Sequence, residues 1–395
     1  MKPVKVVALP RDANPYQELL YGQMRELGAQ VDYVPEPTRS HSVNLLLLPL
    51  TMLWCRLRGY SVLHLHWVYR FVLPVFGHRP SVRSLMERWF ALVLLTARLA
   101  GLKLVWTAHN VLPHEQVFRD DRRARRLLLG RCDGVLVHAP AALRDLADLA
   151  GRDGLPVTQV VAHGPYTDVY GRPVTPADAR SRLDLPEDAR VLLFFGIVQA
   201  YKGVEDLVAA VAALAAADRL PAGVRVLLAG RCDDALLRRR LERAVEEAGL
   251  AGTVRLHLGH VPDDQVSTFF YAADAVVLPF RTVTTSGSAL LPASFGRLVV
   301  VPSLPGLTDL AGGGVEFFDP GLPGLQSALV QLFSRSTADL LAEGERGRQR
   351  LGQLDWSTAA RAALLLMQQL VDGENPDPGS VELRLDEVPR TVAAR

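Results

Sequence analysis

Short apolar runs alternate with longer stretches whose apolar residues recur at helical spacing along most of the chain. In the first half, residues 4–9, 31–34, 62–66, 102–107, 134–138 and 159–162 predict strands. Helical stretches at 15–27, 44–58, 81–100, 121–131 and 141–150 lie between them. This alternation predicts a parallel sheet with helices on both faces.

The pattern breaks over residues 164–188, which are rich in Pro, Gly, Asp and Arg and predict an interdomain linker. Alternation then resumes. Strands are expected at 191–195, 224–229, 254–258, 275–279, 298–302 and 314–318, and helices at 204–217, 235–248, 263–272, 288–295 and 324–333. Two more helices follow at 338–351 and 357–371, and the polar, Pro-rich tail after Gly373 is expected to be mobile. The fold class is therefore α/β, with two Rossmann-like doubly wound domains facing across a cleft. The expected bounds are residues 1–170 and 171–355, a further helix at 356–372, and a tail at 373–395. In open sheets of this kind, ligands bind beyond the carboxyl ends of the strands.

The chain's 395 residues suit two domains of ordinary size. Its three cysteines, Cys55, Cys132 and Cys232, are far apart and give neither a disulfide framework nor zinc spacing. A reducing, cytoplasmic setting is the expectation. The N-terminus lacks the long apolar region of a signal peptide. The net charge of +2 conceals an asymmetry: residues 1–170 carry +7 and the remainder −5. A basic first half is open to phosphates, anionic lipid or nucleic acid, or is scattered solvated charge. Residues 45–54 and 89–104 are strongly apolar, but Pro49 and Arg98 interrupt them, so neither should span a bilayer. Arg39, Arg56, Arg58, Arg83, Arg88 and Arg98 flank them. Two readings stay open: buried core helices, or helices lying in a membrane interface.

The residues with chemical potential cluster after predicted strands. Phe194 to Gly203 reads as a strand end, a short loop and a helix start. Lys202 there sits beside exposed helix N–H groups, a combination that suits phosphate. Arg281 to Ser288 forms a second such joint, where Ser286, Gly287 and Ser288 open a helix and Arg281 offers a bidentate contact. Arg231 follows a neighbouring strand in the same way. In the first half, His109 and Glu115 follow the strand 102–107 and are candidate bases, with Asp12 a third. His66, Trp67 and Tyr69 follow another strand, and the two aromatics suit stacking on a sugar face. Asn14, Tyr16, Asn110 and His163 close other strand ends. The His109–His114 spacing is weak zinc evidence, and the chain has no Asp-x-Asp to hold a divalent ion, so no metal is expected. No P-loop, dinucleotide fingerprint or nucleophile elbow is present.

In this order the segments resemble two-domain glycosyltransferases of the GT-B architecture, above all the GDP-mannose:glycolipid 4-beta-D-mannosyltransferases of exopolysaccharide assembly. The resemblance rests on Asn14–Tyr16, His64–Trp67, His109–Glu115, His163–Gly164, Tyr201–Glu205 and Ser286–Gly287, and spans residues 14–300. It departs from the larger retaining families in two ways. Their Gly-Arg is Gly196-Ile197 here, and helix 288–295 has no glutamate pair. The resemblance therefore implies inverting, metal-independent transfer of a hexose, such as mannose from GDP-mannose, with no cofactor beyond the nucleotide-sugar. The implied acceptor is lipid-linked or a saccharide, the setting is cytoplasmic or peripheral at the inner membrane face, and no nucleic acid is a partner. The alternatives are a nucleotide-sugar epimerase of the same architecture and a non-catalytic carbohydrate-binding subunit.

Overall fold

The computed structural model describes residues 3–12, 14–73, 79–113, 116–151, 154–167, 169–282, 287–308 and 314–374. The chain divides into two compact units: residues 1–163 together with the segment from Trp356 onward, and Gly164–Asp355.

The first unit holds one six-stranded sheet made of β1 (Lys5–Leu9), β2 (Gln30–Tyr33), β3 (Val62–Leu65), β4 (Lys103–Thr107), β5 (Gly134–Val137) and β6 (Val157–Val160). The spatial order is β2-β1-β3-β4-β5-β6, and every pair is parallel. The chain leaves β1 for one neighbour and returns to β3 on the other side. A switch point therefore lies beyond the ends of β1 and β3, where open sheets take their ligands.

Local chemistry sets the helices. In α1 (Pro15–Glu26) the Asn14 side chain accepts the Tyr16 N–H, and Pro15 fills a position whose N–H has no helical partner. Helix α2 (His41–Leu57) begins at His41 and not at the expected residue 44, because Ser40 caps it by accepting the Val43 N–H. Pro49 within α2 cannot bond the carbonyl four residues back, that of Leu45. The Trp89 indole of α3 (Pro80–Leu99) donates to that carbonyl at 2.9 Å, which also ties α3 to α2. Helices α4 (Asp121–Leu129) and α5 (Pro140–Ala150) complete the run. The expected strand at 159–162 forms two residues earlier as β6, where Val157 and Val160 pair with Gly134 and Val137.

The second unit repeats the scheme with β7 (Arg190–Phe195), β8 (Val224–Ala229), β9 (Val254–His257), β10 (Ala275–Val277), β11 (Leu298–Pro302) and β12 (Val315–Phe318). Their order is β12-β11-β10-β7-β8-β9, again all parallel, so its switch point lies beyond β7 and β10. Its helices are α6 (Pro176–Arg182), α7 (Val204–Ala216), α8 (Ala235–Glu247), α9 (Asp263–Ala272), α10 (Gly287–Ser294), α11 (Pro305–Thr308), α12 (Leu322–Ser334) and α13 (Thr337–Leu351).

The expected linker at 164–188 is in fact folded into this unit. It contains α6, buries Ala179 and Leu185 in the core, and joins Arg180 to the buried Asp274 at 2.9 Å. Asp274 in turn accepts the Val191 N–H at 2.7 Å, so this pair pins the start of β7. The last helix, α14 (Trp356–Asp372), belongs to the first unit, where it packs on α1, β4, β5 and β6. A Cβ at Gly134 would lie 2.9 Å from Leu370, so glycine is what lets α14 approach β5.

Candidate active site

In the second unit, β7 ends beside β8 on two glycines with positive φ, Gly196 and Gly230. A Cβ on Gly230 would stand 2.0 Å from the Gly196 carbonyl oxygen, so the strand ends touch backbone to backbone. The chain then makes a 3-10 turn, Ala200–Lys202, and enters α7 through Gly203 at φ 68°. Gly203 lies so close to the end of β10 that a Cβ would meet the Pro279 carbonyl oxygen at 1.9 Å.

Arg281 closes this joint. Its N–H donates to the Tyr201 carbonyl at 2.8 Å, and its guanidinium grips Asp206 with two bonds of 2.7 Å and reaches the Ala200 carbonyl at 3.3 Å. This corrects the expected role of Arg281: its fork is committed to a carboxylate in the first turn of α7 and does not stand open to a phosphate. Glu205, the other acid in that turn, pairs with Arg240 at 2.7 Å. Both acids at the α7 N-terminus are thus neutralised, which leaves its dipole available. Lys202 is buried at 7% exposure, and burial lowers its pKa to about 8. Arg231 is exposed, with Nε 3.0 Å from Asp233. Gly196, Tyr201, Lys202 and Gly203 therefore gather on one side of the β7–β10 switch point, with Arg231 on the loop after β8. Ser286 lies outside the described residues. Gly287 and Ser288 are the first residues of α10, with only their backbone described.

In the first unit, five histidines come together at the strand ends. His64 is inside β3, His66 follows it, His109 follows β4, His138 follows β5, and His163 lies beyond β6. Parallel pairing of β3, β4, β5 and β6 places these ends side by side. His64 Nε2 is 2.7 Å from Thr107 Oγ1 and its Nδ1 is 2.8 Å from the Tyr21 hydroxyl. That hydroxyl is 2.5 Å from His66 Nε2. His66 Nδ1 is 2.9 Å from His109 Nε2, His109 Nδ1 is 3.2 Å from His138 Nε2, and His138 Nδ1 is 2.9 Å from the Val161 carbonyl. Burial pushes the imidazoles down, His64 to about 3 and His138 to about 4, the latter held up somewhat by the Val161 carbonyl. His66, His109 and His163 are lowered too, by burial first and then by their histidine neighbours. The cluster is neutral at ordinary pH.

Tyr16 sits amid these rings, with His109, His138, His163 and Trp356 within 5.4 Å of its centroid. Among the described residues its buried hydroxyl has no hydrogen-bond partner.

The Trp67 ring stacks on His109 at 4.2 Å and 9°, which occupies one of its faces. Both nitrogens of His109 face other histidines, so as a base it would act within a cluster and not alone. Asp12 turns inward on its own loop, accepting the Asn14 N–H at 2.8 Å, while Asn14 caps α1. Asn110 is half-buried beside His109, and His163 lies 4.1 Å from His138. Glu115 lies outside the described residues, and the Tyr69 side chain is likewise undescribed. Sequence reading missed Tyr21, Thr107 and His138. His138 carried the same signal as His109, a histidine ending a predicted strand. Among the described residues no group of three or more His, Cys, Asp or Glu is disposed to hold a metal ion.

Residues 189–334 match the family "Glycosyl transferases group 1". Over 321 residues, 78% of this chain and 81% of the relative, the sequence is 28% identical to the GDP-mannose:glycolipid 4-beta-D-mannosyltransferase of Xanthomonas campestris pv. campestris. The chain is a glycosyltransferase of GT-B architecture, and its residues 189–334 carry the group 1 match. A second relative of this glycosyltransferase is the D-inositol 3-phosphate glycosyltransferase of Streptosporangium roseum, 30% identical over 55% of this chain and 52% of the relative. Among solved structures, it is similar to the sucrose-phosphate synthase of Thermosynechococcus elongatus, with a TM-score of 0.72 and 20% identity over 95% of this chain and 100% of that one. It is also similar to the Anabaena protein HepE in complex with UDP-glucose, at TM-score 0.70 and 16% identity over 93% and 99% of the two chains.

Proposed function

We propose that this glycosyltransferase moves a hexose, mannose from GDP-mannose, onto a lipid-linked saccharide, with inversion and without a metal. The observation that carries the reading is the buried Lys202 at the β7–β10 switch point, next to a helix start whose own acids are already neutralised. A lysine held in a low-dielectric site beside amide dipoles stabilises the charge that develops on a departing diphosphate. That is the work a divalent ion does elsewhere. The first unit supplies the acceptor side, where the histidine cluster takes the hydroxyl proton. The mannose and GDP assignments are supported by the Xanthomonas relative, which covers most of both chains.

The acceptor's lipid is supported by the outer faces of α2 and α3. Val43, Leu46, Leu50, Leu53, Trp54 and Leu57 recur along α2 at helical spacing and are all exposed, Leu57 at 87%. Leu85, Leu92, Leu95 and Leu99 do the same on α3. Each helix also buries a second apolar stripe, so the core is served by one face and the exposed face is what supports a membrane-interface reading. Arg58 lies over the Trp54 ring at 5.0 Å, at the border of this face. No helix among the described residues is long and apolar enough to cross a membrane. Apolar surface edged by arginines suits a helix pair lying in the headgroup layer of the inner leaflet.

The test is a panel of nucleotide-sugars offered to purified protein, with and without a lipid-linked acceptor, in chelator. The reading expects GDP-mannose to be consumed only with acceptor and the product to carry the β-linkage. Donor turnover without acceptor indicates an epimerase instead, and nucleotide-sugar binding with no release of nucleotide indicates a binding subunit.

A further inference from the structure

The hydrogen bonds of the histidine cluster can be oriented from one end. The Val161 carbonyl can only accept, so His138 Nδ1 carries a proton and donates to it at 2.9 Å. In a neutral ring the other nitrogen is then bare, so His138 Nε2 accepts from His109 Nδ1–H at 3.2 Å. The same step repeats: His109 Nε2 accepts from His66 Nδ1–H, and His66 Nε2 accepts from the Tyr21 hydroxyl. Tyr21 oxygen accepts from His64 Nδ1–H, and His64 Nε2 accepts from Thr107. Every donor points the same way, toward Val161, and all four rings share the Nδ1–H tautomer.

Of the four rings, only His109 and His138 are not fully buried. We propose that His138 is the proton terminus of the transfer reaction, receiving through His109 the proton that the acceptor hydroxyl releases. This rests on the glycosyl-transfer reading above. The acceptor O–H meets His109 Nε2 in place of the His66 N–H. As the hydroxyl oxygen forms its bond to the anomeric carbon, the bond from that carbon to the diphosphate breaks, and its electron pair leaves with the phosphate. The hydroxyl proton passes to His109 Nε2, and the His109 Nδ1 proton moves to His138 Nε2. His138 becomes an imidazolium whose Nδ1–H stays on the Val161 carbonyl.

The groups facing His138 are Tyr16 of α1, His109 after β4, and His163 after β6 with its ring at 4.1 Å, while Trp356 of α14 lies behind His163. Among the described residues all of these are neutral, and the Val161 carbonyl dipole is what favours a cation there. Burial and four histidine neighbours press His109 down, whereas the carbonyl holds His138 up, so the proton passes toward His138.

The test uses His138→Gln, whose amide oxygen can still accept from His109 Nδ1–H but cannot take a proton. Histidine 15N NMR on the wild-type chain needs no substrate and reports the tautomers directly. Expected are Nδ1–H forms at His64, His66, His109 and His138, and a kcat loss of about 10²-fold or more in His138→Gln. Donor binding and the His109 tautomer should not change in the variant. An Nε2–H form at His109 or His138 in the wild type overturns the proposal. So does wild-type kcat in the variant, or a lost kcat accompanied by a changed His109 tautomer, which reduces His138 to holding a ring in place. If the wild-type chain transfers no sugar at all, the functional reading fails while the tautomer result still stands.

Discussion

Gly203→Ala isolates the geometry of the donor site from general stability. Gly203 has φ 68°, a left-handed backbone that costs an alanine about 1 kcal/mol. Gly223, on the turn before β8, has φ 79° and carries the same penalty, but a Cβ there meets nothing within 4 Å. At Gly203 the Cβ would sit 1.9 Å from the Pro279 carbonyl oxygen, so reaching an ordinary contact of 3.4 Å opens the joint by about 1.5 Å. That movement separates the 3-10 turn bearing Lys202 from the end of β10. Both variants should lose about 2–4 °C of melting temperature for each kcal/mol. Only Gly203→Ala should also lose function, since a misplacement of about 1 Å costs on the order of 10²-fold in rate. Calorimetric titration with GDP-mannose, alongside transfer rates and melting curves, separates the two effects. If Gly203→Ala binds and turns over donor as well as Gly223→Ala does, the close approach of α7 to β10 is not what builds the site.

Three further outcomes follow from the same structure. The Lys202 ammonium is charged at pH 7 and loses its proton as pH rises through about 8, below its ordinary 10.5, so donor affinity should fall on the alkaline side; Lys202→Met should bind weakly and show no such fall. Leu50→Glu combined with Leu57→Glu should abolish sedimentation with phosphatidylglycerol vesicles while leaving the melting temperature nearly unchanged, because both side chains are exposed. Trp89→Phe leaves the Leu45 carbonyl opposite Pro49 without its indole donor and should cost about 1–2 kcal/mol in chemical denaturation, with a smaller loss if water reaches the carbonyl.

The strand-and-helix alternation was legible because the central strands β3, β5, β10 and β11 are buried throughout and the long helices keep a buried stripe, so periodicity carries the information locally. The second switch point was legible for the same reason: Lys202 and Gly203 follow a buried strand directly. What periodicity does not carry is the partner of a long side chain. Arg281 closes on Asp206 across 75 residues of sequence, a pairing that only the β7–β10 neighbourhood creates. The segment 164–188 reads as a linker from its Pro and Gly content, yet the Arg180–Asp274 pair, separated by 94 residues, fastens it to the second core. His109 was picked out by its polar neighbours in sequence. His138, followed by Ala139 and Pro140, was passed over, although pairing of β4 with β5 sets it alongside. Tyr21 lies in a helix interior, where a buried tyrosine reads as core.

The placement of α14 bears on how the chain is made. Its Trp356 ring lies 5.4 Å from Tyr16 and 6.0 Å from His163, and the helix packs against α1 and three strands of the first sheet. A ribosome delivers all of Gly164–Asp355 before this helix emerges, so the first unit waits, with one flank of its sheet bare, for a helix made after the second unit. A nascent product that stops short of residue 356 can complete the second unit, to which the proposed reading assigns the donor, but not the first, to which it assigns the proton. On that reading, such a product would keep the donor-binding strand ends while lacking a covered first sheet.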